Sequence, residues 1–353
     1  MKRILITLMA VCQVVVAFTP TEAQEIFSEN GNLYSTRQLS RKAVAEVGNK
    51  VIIRSAAALW GNLKIVAVEG SNATIKYYKK AKAEKRSRAV DYIDLISVNL
   101  ETIPGGVKLV MKAPNPAPWG GTNESGSVVA QLQIPENCDL DIDAHHFDIE
   151  AKGPFKSFLV PSSLGRLDVT FVTDELELST SNRRINIENI SGEVNVSTTN
   201  SDLVAANIKA GNGRAVFRNE GGDIEILGVS GEINVKNSYG RIDIDDFAVT
   251  GKKNSVRGVY GPITIVVTEM GDGRLVVSNR LEDIDLTVPS NISAVWSLAV
   301  EEEGKIEVAN IGVTPDLVQP NRLNLISGDG KAFIDGSVRG EGNVYVRGYD
   351  PED

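Results

Sequence analysis

The chain has 353 residues, 46 acidic against 37 basic, giving a net charge of −9 at pH 7, and 42% of them are hydrophobic. That length can bury a sizeable core, and the acidic excess argues against general nucleic-acid binding. Two cysteines are too few for a disulfide framework, and the only long apolar run lies at the N-terminus.

Residues 1–23 read as a secretory signal. Lys2 and Arg3 form the positive start, Ile4 to Phe18 the apolar run, and Thr21-Glu22-Ala23 places a small residue at the cut. The run is short for a membrane span and no stop-transfer cluster follows it. Cys12 follows Val11, where a lipidation site wants a small residue, so cleavage near Ala23 is favoured over a lipid anchor. A retained N-terminal anchor stays open. The expected location is therefore outside the cytoplasm: periplasm, outer surface or extracellular space. The mature chain keeps one cysteine, Cys138, and so has no internal disulfide. A buried small apolar residue suits its position after Pro135-Glu136-Asn137 better than pairing between chains.

Residues 24–112 form an N-terminal mixed-β region. Val51-Ile52-Ile53, Leu63 to Val68, Ala73 to Tyr78 and Val107 to Val110 are its strand candidates. Lys79 to Leu95 has the composition of the chain's one short helix. Its basic start has a possible use against anionic glycan or lipid headgroups, but a solvated helix face is the favoured reading. Residues 113–127 are a Pro/Gly loop. Trp119 within it either stacks on a sugar ring or folds back onto the sheet, and the sequence does not choose.

Residues 128–349 carry a repeat. Ser191-Gly192-Glu193-Val194-Asn195-Val196 returns as Ser230-Gly231-Glu232-Ile233-Asn234-Val235, and the same offset takes Ile185 to Ile224 and Leu203 to Ile242. Strand starts at Ile185, Leu203, Ile224, Ile242, Ile263 and Ile284 are spaced by 18, 21, 18, 21 and 21. Apolar and polar residues alternate within each, so every unit has one aliphatic and one polar face. One unit cannot bury its aliphatic face, whereas stacked parallel units can. The reading is an all-β chain, a β-helix or β-solenoid with coils of roughly 20 residues. Two or three strands per coil remain open, and an antiparallel sandwich is the structural rival. Residues 350–353 are a polar tail, a plausible stop for a last coil that must cover an open sheet edge.

Sites are sparse. Asp141, Asp143 and His145 share one strand face, but residues two apart lie ~6.6 Å apart and fit no local metal rule, so no metal site is assigned. Asp243, Asp245 and Asp246 are a candidate acid cluster for glycosidic chemistry, although the sister unit carries Val204 and Ala206 there. Gly-Asp-Gly at 271–273 and 328–330 lacks the full calcium-repeat spacing. No nucleophile elbow, Walker loop or zinc-protease motif is present, so no catalytic residue and no cofactor is assigned.

The export signal, Gly61-Asn62-Leu63-Lys64-Ile65, the Ile-Pro-Glu-Asn-Cys-Asp-Leu turn at 134–140 and the Ser-Gly-Glu-Val/Ile-Asn-Val and Gly-Arg-Ile-Asp-Ile units together resemble a bacterial family. It is the family of exported proteins called putative adhesins, whose function is unknown. The resemblance covers most of the mature chain. It implies a right-handed β-helix and an envelope or cell-surface location, and no functional residue carries over. The expected role is non-catalytic: adhesin-like binding or scaffolding through a repetitive polar surface, with a glycan or surface protein as partner. The alternative is a carbohydrate-active enzyme, a polysaccharide lyase or hydrolase, using the acidic cluster. Oligomeric state stays open.

Overall fold

A computed structural model describes residues 25–301, 303–313, 319 and 321–351. The signal read at 1–23 lies outside the described residues. The chain is a β-solenoid: almost every strand pairs in parallel with the strand one coil away. Each coil gives one strand to each of two ladders. In the first, Leu167, Ile185, Leu203, Ile224, Ile242, Ile263 and Ile284 lie one over the next. In the second, Leu176, Val194, Ala215 and Ile233 do the same. All of these are buried, and their neighbours in sequence face outward.

The alternation of spacings has a local cause. The shorter coils hold a tight corner, and the first longer one inserts Gly211-Asn212-Gly213 between Lys209 and Arg214, where the pairing register jumps. Gly211 has φ +57, a left-handed conformation that glycine reaches without steric cost. The next jump puts Asn254 into the aliphatic ladder. There it is satisfied on all sides: its Oδ1 accepts from Ile233 N–H at 3.0 Å, and its Nδ2 donates to Gly251 and Arg274 carbonyls at 2.9 and 3.2 Å.

The turn that joins the second ladder of one coil to the first of the next is held from inside. Thr198 Oγ1 donates to Arg183 O at 3.2 Å. Asn219 Nδ2 donates to Ser201 O at 2.8 Å, Asn237 Nδ2 to Gly222 O at 2.8 Å and Arg241 O at 3.1 Å, and Asn279 Nδ2 to Gly261 O at 2.8 Å. These side chains are buried, and they give a donor to the carbonyls of Arg183, Ser201, Gly222 and Gly261 at the turns; Arg241 O, which already accepts the Ile224 N–H at 3.0 Å, takes a second one.

At both ends the coils leave sequence order. The coil holding Lys50–Ser55 and Leu59–Val68 sits between strands Gly106–Lys112 and Ser125–Pro135 on one side and Asp139–Asp143 and Phe147–Ser163 on the other. At the far end, Ala332–Val338 and Val344–Tyr349 slot between the coil of Arg274–Asn279 and Ile284–Pro289 and the strands Ala294–Val300 and Ile306–Ala309. The polar tail therefore does not follow the outermost rung. Antiparallel strands close most of the edges: Ser97–Ile103 and Asn72–Lys82 at the start, Arg322–Ser327 at the end. Covering an edge in this way removes a template for edge-to-edge association.

The helix is shorter than its composition suggests. It spans Arg86–Leu95, while Lys79 to Lys82 complete the strand Asn72–Lys82. Antiparallel pairing with Ser125–Pro135 and Leu33–Thr36 overrides the helix preference of the Lys/Ala run. Lys79 is neither a solvated face nor a lipid contact. It is buried, and its Nζ donates to the carbonyls of Ile93 and Ile96 at 2.9 and 3.0 Å, satisfying the helix C-terminus. Burial, partly offset by Asp94, pulls its pKa below the usual lysine range.

Two predictions test this architecture. Ile224→Asp or Ile233→Asp puts an unpaired charge into the column and should cost at least about 3 kcal/mol, seen as a lowered denaturation midpoint. Glu232→Ala removes only an exposed ion pair with Arg214 and should change stability by no more than ~1 kcal/mol. Equal midpoints would overturn the inward and outward assignment. Asn237→Ala, which removes the side-chain donor of Gly222 O and leaves Arg241 O its Ile224 N–H, should cost about 1–3 kcal/mol by the same measurement.

Candidate functional site

The two corners of each coil are where the aliphatic pattern relaxes, and both carry columns of surface side chains. At the first corner, Phe171, Asn189, Asn207, Gly228 and Asp246 follow one another coil by coil, with φ of 61, 57, 55, 72 and 54°. Asparagine and glycine tolerate this left-handed backbone, whereas a bulky residue such as Phe171 is strained in it. The kink turns the next residue of each coil inward, so Val172, Ile190, Ile208, Val229 and Phe247 close the core. Outside, it leaves a groove of about 470 Å³ running along the solenoid axis.

The groove has an apolar floor and a polar rim. Asn207 Nδ2 donates to Asn189 Oδ1 at 3.1 Å, and Thr268 Oγ1 donates to Asp246 Oδ1 at 2.8 Å. Ser191, Lys209 and Ser230 form the other wall. Phe171 stands at one end with 46% of its surface exposed. Mixed linings of this kind, with few fixed polar groups, are what ligand grooves use.

The acid cluster predicted from sequence is dispersed. Asp243 pairs with Arg241 at 3.2 Å, and the same guanidinium holds Asp223 at 3.0 Å. Asp245 Oδ1 accepts from the Asp246 backbone N–H at 3.0 Å. Of the three, only Asp246 lines the groove. Asp141, Asp143 and His145 do not share one strand face either: the strand ends at Asp143, and His145 lies in the turn that follows. Asp141 lies 2.9 Å from Arg54 and 3.3 Å from Lys50, and among the described residues no group of three His, Cys, Asp or Glu side chains is arranged to hold a metal ion. Cys138 is buried beside Glu46 O, and burial pushes its thiol pKa up, which makes it a core residue.

The second corner carries a ladder that the sequence reading missed. Asn200 Nδ2 donates to Asn182 Oδ1 at 3.1 Å, and Tyr239 stacks on Tyr260 with centroids 4.9 Å apart and planes within 6°. In the same column, nearer the N-terminal end, Trp60 stacks on His146 at 4.3 Å. The signal was present in the sequence: each of these residues holds the third position before the buried residue that starts a rung of the first ladder. Trp119, by contrast, folds back: it is buried, its Nε1 donates to Ala58 O at 3.0 Å, and its ring meets Tyr92 edge-on at 5.3 Å.

The model of the family called Toastrack DUF4097 matches residues 61–293, and the chain belongs to that family. No curated protein matches it. Among solved structures it is similar to a putative cell adhesion protein from Clostridium sporogenes, at 9% identity over 89% of this chain and 100% of that one, TM-score 0.22. It is also similar to a putative adhesin from Bacteroides fragilis, at 8% identity over 88% and 97%, TM-score 0.26. A third is a putative lipid binding protein from Parabacteroides distasonis, at 9% identity over 88% and 96%, TM-score 0.33. No helix among the described residues is long and apolar enough to cross a membrane.

The stacked imidazole gives a direct test of this corner. Burial first, and then the neighbouring His145, hold His146 below the ordinary histidine value of 6.5. The folded state therefore binds fewer protons than the unfolded one, so this group's contribution is complete above 6.5 and is lost as pH falls toward the lower folded pKa. An NMR titration of the two histidines should place His146 below 6.5; a value at or above it would contradict the stacked, half-buried ring.

Proposed function

We propose that this member of the Toastrack DUF4097 family is a non-catalytic binding or scaffold protein, exported to the cell envelope or surface, that holds an extended ligand along the first-corner groove. The observation that carries this reading is the groove itself. It crosses successive coils with a repeated composition: an apolar floor, an Asn/Asp rim and a strained, exposed Phe171 at one end. Backbone strain of that kind is retained where the surroundings enforce it, and it collects at binding sites. The signal-like residues 1–23 support export. A glycan or an extended surface polypeptide fits a groove with this length and polarity.

The geometry lends the enzymatic alternative little support. Two-carboxylate glycosidic chemistry needs both acids around one bond. Here Asp243 and Asp245 face out of the strand and Asp246 alone reaches the groove.

Purified chain lacking residues 1–23 should be retained by envelope material without releasing reducing ends from it. Ser230 is a half-buried wall residue with room in front of it, so Ser230→Trp should fill the groove and weaken retention about tenfold while the melting temperature is kept. Release of sugar ends, or undiminished retention by Ser230→Trp, would overturn the reading.

A further inference from the structure

Trp60, at the second corner, has one covered face and one open one. Its indole lies on His146 with centroids 4.3 Å apart and planes within 19°, yet 53% of its surface remains exposed. The reason is its other neighbour. In the parallel pairing with Ser125–Pro135, Trp60 faces Ser127, whose hydroxymethyl group is too small to cover an indole. The ring therefore stands as a wall between two clefts, one of about 280 Å³ beside His146 and one of about 570 Å³ beside the 119–125 loop.

The clefts are lined by polar side chains that are free to bind. Asn62 and Arg183 on one side, and Lys82 and Asn123 on the other, make no side-chain hydrogen bond or ion pair with any described residue. Glu124, which also lines the larger cleft, is already occupied: its carboxylate takes the Tyr92 hydroxyl at 2.6 Å and Arg88 at 3.1 Å, and these hold its pKa below the usual carboxylate range. The loop is anchored by Trp119, whose ring lies where a Cβ on Gly126 would come within 2.5 Å, so glycine alone lets the loop lie flat against the sheet. The platform is thus a fixed aromatic face, backed by a second ring and bordered by uncommitted amide and cationic donors. A pyranose ring matches it: one face presents C–H groups that pack on an indole, and the rim presents hydroxyls for the amides and cations.

We infer that Trp60 is the stacking platform of a saccharide-binding site on its open side, with Lys82 and Asn123 as its hydrogen-bonding rim. This rests on the binding role proposed above but uses a different surface from the groove. The test uses tryptophan emission, since the chain has three tryptophans and both Trp119 and Trp296 are buried. Iodide should quench Trp60 selectively. Hexasaccharides of glucose, mannose, galactose and N-acetylglucosamine serve as probes. At least one should protect Trp60 from iodide, Trp60→Phe should keep the binding within about threefold, and Trp60→Ala should weaken it about tenfold or more with an unchanged melting temperature. No protection by any hexasaccharide, or Trp60→Ala binding as tightly as the parent, would overturn the site. Retention by envelope material that survives Trp60→Ala but falls with Ser230→Trp would sink the platform and leave the groove. The reverse pattern would sink the groove and leave the platform.

Discussion

Everything in this molecule depends on side chains stacking on their own counterparts one coil away. A single coil carries a handful of aliphatic side chains on one face and cannot bury them alone. Placed in register under the next coil, Ile185 covers Leu167 and is covered by Leu203, and so on along the column. The requirement is strict in one direction only. Inward positions are apolar except where a buried Asn or Thr is hydrogen-bonded to the backbone, because a slip by one residue would turn the whole set to solvent. Outward positions need only tolerate their neighbours above and below, and here they do so with pairs such as Arg214 over Glu232 and Asn186 over Asp168.

A column built this way has two raw ends, and the chain treats them alike. At each end a coil distant in sequence is inserted next to the last regular one, and antiparallel strands pair with the outermost rung beyond it. Insertion makes the ends depend on contacts between remote segments, such as Leu140 with Val51 and Leu275 with Ile334. A terminal coil that merely followed in sequence would fray one hydrogen-bonded strand at a time. An inserted one cannot leave without unpairing two ladders on both sides, which ties the ends to the middle.

Much of this was legible in the sequence, because the repeat spacing and the alternation of Ile and Val with Asn, Glu and Asp are direct consequences of stacking. Inward residues such as Ile224 and Ile233, and the alternating intervals between strand starts, are visible without coordinates. What was not legible depends on partners far along the chain. Lys79 belongs to a strand rather than a helix because Lys79 pairs with Val128, and no local propensity records that. Asn219 and Asn237 fall on the inward parity of Phe217 and Val235, and what these buried amides do there is legible only from the turn geometry, which exposes the carbonyls they donate to. The Asn189 and Asn207 kinks look like ordinary polar positions until φ shows why asparagine is there. Trp119 drew attention for sitting in a proline loop, whereas Trp60, within a strand, is the exposed one.

The freedom of the corners explains why the surface side chains vary there from coil to coil. A strand residue on either face is locked between its neighbours one coil above and below, whereas the corner column can change character coil by coil without disturbing the core. Along the second corner it passes from Trp60 on His146, through Asn182 and Asn200, to Tyr239 on Tyr260. The stacking sets the spacing of these groups at the ~4.8 Å rise between paired strands, which is fixed by backbone hydrogen bonds and not by the side chains themselves. A rigid rise of this kind holds a series of weak contacts in a constant geometry, so an extended ligand meets them without the ordering cost that a flexible surface would impose. The solenoid thus separates the two tasks of the sequence: inward residues specify the column, and corner residues are left to specify what it meets.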